Sequence, residues 1–193
     1  VLRVEGLTAR GLHGIDLVLH RGEVLGLAGL VGAGRSELAH VLFGAAPRTG
    51  GRVRLDGRDV APRNPREAID LGIALLTEDR NRLGLVGGMS VRENVTLATL
   101  AAFLRGPFLA RSRETAAARG MAERLRLRPP DVETPVAHLS GGNRQKVVLA
   151  RWLLAGARVL IFDEPTAGID VGAKHEIHAL IGELRDRGTA VLV

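Results

Sequence analysis

Short apolar runs separated by glycine-containing loops and helical segments are the main feature of the chain. The continuous apolar runs are residues 24–28, 73–76 and 159–162. Runs of this length, bounded by charged or glycine residues, are typical of parallel strands that are covered on both faces. Weaker strand patterns occur at residues 1–4, 15–19 and 53–57. The pattern therefore predicts an α/β fold with a parallel sheet core and an antiparallel β flank.

Helices are predicted from apolar periodicity and from the residues that begin or end them. Asn64 and Pro65 begin a short helix that Gly72 ends, while Ser90 and Glu93 form a capping box for a helix reaching about residue 104. The other predicted helices are residues 36–43, 113–126, a segment after Ser140, and 172–187. The middle helices are rich in Ala, Leu and Arg, and their periodicity alone fits any small helical bundle.

Length and composition limit the class of protein. With 193 residues, 46% of them hydrophobic, and 25 glycines, the chain fits one globular α/β domain with a sizeable core. Arg151 and Arg158 interrupt the longest candidate for a membrane helix, no secretory leader is visible, and the lack of cysteine fits a reducing compartment. Val1 is not an initiator methionine and the chain stops at Val193 inside an apolar run, so we expect a chain truncated at both ends.

The chain is basic, with a net charge of +6. Such a charge could indicate nucleic acid or an anionic membrane as a binding partner. Two of the 27 basic residues are lysines and the other 25 are arginines, and these are scattered along the chain. We therefore interpret the excess as compositional and predict no nucleic acid partner. His175 and His178 lack companions at metal-binding spacing, which favours a surface position.

Two carboxylates follow the apolar run 159–162. Acidic residues at the carboxyl end of a buried strand lie where α/β sheets bind ligands. Asp163 is placed to hold Mg²⁺, directly or through water, and Glu164 to polarise an attacking water. The alternative is a strand that simply enters a turn at Pro165.

A glycine-rich loop joins the run 24–28 to the helix 36–43. Its sequence, Gly-Leu-Val-Gly-Ala-Gly-Arg-Ser, matches the phosphate-binding loop pattern except that Arg35 replaces the lysine. Glycines allow the loop to turn its N–H groups inward and to approach phosphates closely, and Ser36 can ligate Mg²⁺. Because guanidinium is broader than an ammonium group, we expect nucleotide binding with doubtful hydrolysis. The alternative is a βα turn that binds nothing.

A second glycine-containing helix start lies at Ser140, Gly141 and Gly142. The N–H groups and the positive dipole end of the following helix favour a phosphate, although such a sequence is often only an N-cap. One helix length separates it from the Asp163 strand, which is followed by Thr-Ala-Gly-Ile-Asp at 166–170.

This order of motifs covers essentially the whole chain and resembles that of ATP-binding cassette (ABC) ATPases. The resemblance implies a P-loop NTPase with a RecA-like parallel core at residues 1–78 and 156–193. A helical subdomain carrying the signature motif is implied at about 88–155. The implied cofactors are ATP and Mg²⁺, with Ser36 and Asp163 as metal ligands. The implied nucleotide-binding residues are Gly29, Gly32, Ala33, Gly34, Arg35, Ser36, Glu37, Ser140, Gly141, Gly142, Asn143 and Asp170.

The implied catalytic residues are Glu164 and Glu78. In ABC ATPases the strand corresponding to 73–76 normally ends in a glutamine that touches Mg²⁺ and the attacking water, and Glu78 stands at the matching position here. The alternative for Glu78 is a solvated charge run after a strand.

Within that superfamily the chain is similar to the second ATPase half of the tandem subunits of monosaccharide importers. The strings that carry this similarity are residues 29–38, 78–85, 89–94, 139–146 and 163–174. It implies a head-to-tail pairing with the first half, contact with transmembrane permease subunits at the cytoplasmic face of the membrane, and an indirect link to a sugar-binding receptor. The signature would complete the partner's ATP site, while the chain's own site turns over slowly and the isolated chain is nearly inactive.

Some features depart from the family pattern, and three competing functions stay open. No aromatic residue precedes Phe43 to stack on adenine, the switch histidine is expected beyond Val193, and Ala167 replaces a basic residue.

The first competing function is that of a nucleoside importer, which shares the Leu-Ser-Gly-Gly-Asn and Asp-Arg strings. The second is a non-transport ABC ATPase acting on DNA or ribosomes, and the third is a purely regulatory nucleotide-binding module.

Overall fold

The chain combines two four-stranded sheets with a set of helices. The computed structural model describes residues 1–30, 32–165, 167 and 171–193, without the side chains of Asn81, Val171 and Ala173. Within these residues the strands are β1 (Leu2–Ala9), β2 (Leu12–Leu19), β3 (Val24–Leu25), β4 (Arg48–Leu55), β5 (Arg58–Val60), β6 (Ile73–Leu76), β7 (Leu104–Arg105), β8 (Phe108–Leu109), β9 (Val159–Phe162) and β10 (Ala190–Leu192). The α-helices are α1 (Arg35–Leu42), α2 (Pro65–Asp70), α3 (Val91–Thr96), α4 (Arg111–Arg124), α5 (Gly141–Leu154) and α6 (Val171–Asp186). A π-helical turn covers Arg80–Gly84, and 3₁₀ segments cover Leu97–Phe103 and Val136–His138.

Two compact units are distinguished by their internal contacts. The first comprises Val1–Leu75, Ala157–Glu164 and Ile181–Val193, and the second comprises Leu76–Gly156 and Pro165–Leu180. The functional assignment of these parts stays a prediction. It places an ATP-binding core at residues 1–78 and 156–193 and a signature-bearing subdomain at about 88–155.

The antiparallel sheet has the strand order β2-β1-β4-β5. The register of the sheet is illustrated by Leu2, which pairs with Leu19 of β2 on one side and with Leu55 of β4 on the other. All three leucines are buried. The predicted antiparallel flank is confirmed.

The parallel sheet has the order β3-β10-β9-β6, and its inner strands are apolar on both faces. Every residue of β6, β9 and β10 is buried, as expected for parallel strands covered on both sides. The predicted strands 73–76 and 159–162 are confirmed at both ends. β3 is shorter than predicted, although Leu27 N–H still donates to the carbonyl of Val193. Because β3 and β9 both run parallel to β10, their carboxyl ends lie at one edge of the sheet.

The predicted helix starts are confirmed where a side chain caps them. The Asn64 side chain accepts a hydrogen bond from the N–H of Glu67 at the start of α2. At the start of α3, the Ser90 hydroxyl accepts from the N–H of Glu93, whose carboxylate accepts from the N–H of Ser90. Each pair satisfies N–H groups that have no partner within the helix.

The predicted continuous helix from Ser90 to about residue 104 is wrong. α3 ends at Thr96, and Thr99 has non-helical angles inside the following 3₁₀ segment. Leu104 and Arg105 then pair with Leu109 and Phe108 in a two-stranded hairpin. The Ala- and Leu-rich sequence has high helix propensity, but the Gly106-Pro107 turn and strand pairing decide the local structure.

A buried ion network ties α3 to α4 within the second unit. Arg92 donates to Glu114 at 2.6 Å and to Glu133 at 2.8 Å. The Thr96 hydroxyl donates to the other oxygen of Glu114 at 2.7 Å. Hydrogen bonding to Arg92 lowers the pKa of Glu133. Both oxygens of the buried Glu114 are therefore satisfied, as a buried charge requires.

Candidate functional site

The predicted phosphate loop lies in the first unit between β3 and α1. Gly34 takes a left-handed conformation, with φ of 87°, immediately before the helix begins at Arg35. A Cβ at Gly34 would also lie 2.9 Å from a terminal methyl group of Leu12, which adds a smaller steric cost to the strain of the left-handed φ. No side chain caps α1, which leaves its first N–H groups and its positive dipole end available to an anion.

The loop meets the end of β9 through a hydroxyl and a carboxylate. The Ser36 hydroxyl donates to a carboxylate oxygen of Asp163 at 3.0 Å, across 127 residues of sequence. Asp163 is buried, with a relative solvent accessibility of 8%. An uncharged hydroxyl beside a carboxylate fits Mg²⁺, which takes oxygen ligands and commonly uses one or two protein groups alongside substrate phosphates and water.

The residues next to Ser36 and Asp163 in sequence, Arg35 and Glu164, form an ion pair. Arg35 donates to Glu164 at 3.1 Å, and the two side chains are 33% and 43% exposed. Glu164 adopts a positive φ of 50°, which is uncommon for a residue with a Cβ, just before Pro165. The cation predicted to bind phosphate and the carboxylate predicted to polarise water therefore neutralise each other.

The predicted signature sequence begins helix α5 in the second unit. Ser140 is the N-cap, and its oxygen accepts hydrogen bonds from the backbone N–H of Asn143 and from the side-chain amide of Asn143. The Asn143 side-chain oxygen in turn accepts from the N–H of Arg128 at 2.9 Å. Ser140 is exposed and Gly142 is buried. Asn143 thus holds both Ser140 and the backbone at Arg128 in place.

Arg151, which sequence reasoning did not identify as a functional residue, anchors the other end of α5. Its guanidinium donates to the carbonyl of Gly84 at 2.7 Å, to the carbonyl of Asn94 at 2.7 Å and to the side-chain oxygen of Asn94 at 3.0 Å. Burial lowers the pKa of Arg151 to about 10. The signal in the sequence was an arginine in the middle of an apolar helical run.

Arg80 is a second residue with a structural role that the sequence left unassigned. It is buried, and it donates to the carbonyl of Ala167 at 2.9 Å within the second unit. Burial, with a smaller contribution from Arg144, lowers its pKa. The alternative of a solvated charge run after β6 does not hold at Arg80, which is buried, although Glu78 and Asp79 are exposed.

The other predicted site residues are not joined to these clusters. Glu37 is exposed in the first turn of α1, and Glu78 belongs to the second unit. Asp170, Thr166, Gly168, Ile169 and Val31 lie outside the described residues. Among the residues that are described, no group of three or more His, Cys, Asp or Glu side chains is placed to hold a metal ion. In the same part of the chain, no helix is long and apolar enough to cross a bilayer.

The fold is similar to solved ABC cassettes. A nucleotide-free ATP-binding cassette from an ABC transporter superposes with a TM-score of 0.86 at 24% identity, covering 100% of this chain and 79% of that one. A cassette in its ADP conformation has a TM-score of 0.82 at 25% identity with the same coverage. A cassette dimer bound to ADP and phosphate has a TM-score of 0.81 at 22% identity, covering 87% of that chain. The predicted P-loop NTPase fold is confirmed.

Curated relatives are similar along the whole chain. The ribose import ATP-binding protein RbsA 1 of Rubrobacter xylanophilus is 47% identical, and RbsA of Pseudomonas putida is 48% identical. The chain spans only 39% and 38% of the lengths of these two relatives. A family model described as ABC transporter matches residues 12–167. The chain therefore belongs to the ATP-binding cassette family of ABC transporters.

Proposed function

We propose that the chain is an ATP-binding domain that energises import of a monosaccharide. The observation that carries ATP binding is the Ser36–Asp163 contact of 3.0 Å, which brings a phosphate loop and a buried carboxylate together from distant parts of the sequence. The proposal of a sugar cargo rests on the relatives, which are named as ribose import proteins.

In the proposed mechanism the loop binds the phosphates through backbone N–H groups of residues 32–36. Ser36 and Asp163 would hold Mg²⁺, which neutralises charge on the phosphate oxygens when bound. Arg35 must leave Glu164 in order to contact a phosphate, and Glu164 can orient a water only after that release. Glu78 and Asp170 are proposed to act at the same nucleotide.

We propose an asymmetric role for the two helix starts. Ser140, Gly141, Gly142 and Asn143 complete the ATP site of a partner ATPase half, where the N–H groups of α5 and the Ser140 hydroxyl face the terminal phosphate. The chain's own site binds ATP and hydrolyses it slowly. Two observations support this difference, namely the pairing of Arg35 with Glu164 and the glutamate at position 78.

The partners of this function follow from the same proposal. The chain is the second half of a tandem subunit, pairs head to tail with the first half, and acts on permease subunits at the cytoplasmic face of the membrane. Its attachment to the membrane is peripheral and runs through the permease. A sugar-binding receptor is an indirect partner.

ATP hydrolysis by the purified chain, alone and with the separately produced first half, tests the asymmetric role. We expect negligible turnover by the chain alone and a large rise when the halves are mixed. Ser140→Arg should abolish the rise, because a bulky cation at the start of α5 fills the space for the partner's phosphate. The matched control is Ser112→Arg, at an exposed position in the first turn of α4, which should leave the rise intact. Robust turnover by the chain alone, unchanged by Glu164→Gln, would contradict the proposal.

The sugar cargo needs a separate measurement. The full tandem subunit would be reconstituted with its permease, and uptake of labelled monosaccharides and nucleosides would be compared with and without ATP. ATP-dependent uptake of a monosaccharide supports the proposal, whereas uptake of nucleosides alone would overturn it.

A further inference from the structure

The hairpin formed by β7 and β8 is an apolar projection of the second unit. Every residue from 104 to 109 is exposed, and the apolar side chains Leu104 and Phe108 are 49% and 75% exposed. Leu109 is also exposed, and the preceding 3₁₀ segment exposes Leu97 and Leu100. Large apolar side chains are thus concentrated within 13 residues that have no covering element in the described part of the chain.

The same stretch carries only positive charge. Residues 97–113 contain Arg105, Arg111 and Arg113 and no Asp or Glu. The nearest acidic residue in sequence, Glu114, is buried against Arg92, and Glu133, which contacts Arg111, is also shared with Arg92. The hairpin therefore combines exposed Leu and Phe side chains with arginines at and beside its strands.

We propose that the hairpin of residues 104–109 inserts shallowly into an anionic phospholipid surface. Six consecutive exposed residues in a two-stranded turn form a short element that is open to solvent, which suits entry between lipid headgroups. Phe and Leu prefer the boundary between headgroups and acyl chains, while arginine side chains extend back to the phosphates. Anionic lipids attract each arginine near the surface, and one short apolar element holds a protein only reversibly. The hairpin shares no residue with the proposed nucleotide site.

Charge complementarity distinguishes lipid from a protein groove as the occupant. A protein groove that accepted Phe108 and Leu109 would bind them independently of lipid charge. An anionic bilayer requires both the apolar tip and the arginines, so binding must depend on the fraction of anionic lipid and weaken with salt.

Tryptophan fluorescence tests the insertion directly. Phe108→Trp adds an exposed indole to a chain whose one native tryptophan, Trp152, is buried and serves as a constant background. With phosphatidylcholine vesicles containing phosphatidylglycerol, we expect a blue shift of the added emission and quenching by brominated acyl chains. Vesicles of phosphatidylcholine alone should produce neither. Leu83→Trp, at another exposed leucine of the second unit, is the matched control and should not respond.

Vesicle sedimentation tests the role of charge. Arg105→Glu combined with Arg113→Glu should reduce partitioning onto anionic vesicles at least tenfold, whereas Arg119→Glu combined with Arg124→Glu, the same charge change at exposed positions of α4, should reduce it much less. Equal losses from the two pairs, or no blue shift at position 108, would overturn the proposal. A blue shift that requires the permease in neutral lipid would identify a protein partner and overturn it as well. Nucleotide binding is measured in parallel, since it stays intact if only the lipid contact fails.

Discussion

The phosphate loop of the first unit and the start of α5 in the second unit are both glycine-containing turns that open a helix, but they are held differently. α1 has no side-chain cap, whereas Ser140 caps α5 and is itself held by Asn143. The polar groups around the first are an exposed ion pair and one hydroxyl–carboxylate contact. The second is anchored further along by the buried Arg151. The α5 start is organised before any ligand arrives, and the phosphate loop must exchange its own contacts for those of the ligand.

This difference follows from burial. An ion pair whose members are 33% and 43% exposed contributes about 0–1 kcal/mol, because water and salt screen it. Buried hydrogen bonds from a charged donor contribute about 1.5–3 kcal/mol each, and their loss leaves acceptors without solvent. The weak pair suits a site that opens for a nucleotide, and the strong anchor suits a helix that presents a fixed face to a partner.

The largest expected effect is that of removing the anchor of α5. Arg151→Met preserves the apolar stem but leaves the carbonyls of Gly84 and Asn94 without their donor, so we expect the free energy of unfolding to fall by about 2–4 kcal/mol. Urea denaturation measures it, with Arg119→Met at an exposed position of α4 as control. A loss no larger than that of the control would show that Arg151 does not organise α5.

The structural features that could be predicted from the sequence are those decided by neighbouring residues, namely buried strands and helix caps. The apolar runs 73–76 and 159–162 correspond to β6 and β9, and Asn64, Ser90 and Ser140 each cap the helix that follows them. Each of these is decided within a few neighbouring residues. The resemblance to ABC ATPases also implied that Ser36 and Asp163 share one site, and in the structure the Ser36 hydroxyl donates to Asp163.

What the sequence could not predict depends on long-range contacts. Arg35 and Glu164 are 129 residues apart, and Arg151 is 57 residues from Asn94. No periodicity reports which arginine will meet which acceptor, particularly with 25 arginines among the 27 basic residues. The hairpin of β7 and β8 was missed for a different reason, since each of its strands is only two residues long and shows no alternating pattern in the sequence.

A smaller effect is expected on transport by the full tandem protein, where substitutions at the two helix starts can be compared directly. Ser140→Arg should reduce transport at least tenfold, equivalent to about 1.4 kcal/mol or more in the barrier. Arg35→Ala should reduce it less, because the proposed asymmetric role assigns Arg35 to the slower site and because Arg35 is already paired with Glu164. Transport rates at equal protein levels measure both. Equal tolerance of the two changes would overturn the asymmetric assignment.

The smallest expected effect concerns the competition between nucleotide and Glu164 for Arg35. Before binding, the ion pair stabilises the empty site, and that stabilisation is lost if Arg35 moves to a phosphate. Glu164→Gln removes it and also removes the repulsion between a carboxylate and the phosphates. In an Arg35→Ala background only the repulsion remains to be removed. The difference between the two effects of Glu164→Gln therefore isolates the ion pair.

Affinity for a fluorescent ATP analogue gives this difference when it is measured for the unchanged chain, for Glu164→Gln, for Arg35→Ala and for the double variant. We expect Glu164→Gln to tighten binding more strongly when Arg35 is present, by about 0.2–1 kcal/mol, which is the range for an exposed pair. High salt should reduce the difference, because it screens the pair in the empty site. Asp70→Asn, at an exposed carboxylate at the end of α2 in the same unit, is the control for a general change in charge. Identical effects of Glu164→Gln in both backgrounds would mean that Arg35 keeps its contact with Glu164 while nucleotide is bound. The phosphate loop would then be as fixed as the start of α5, and the contrast between the two helix starts would fail.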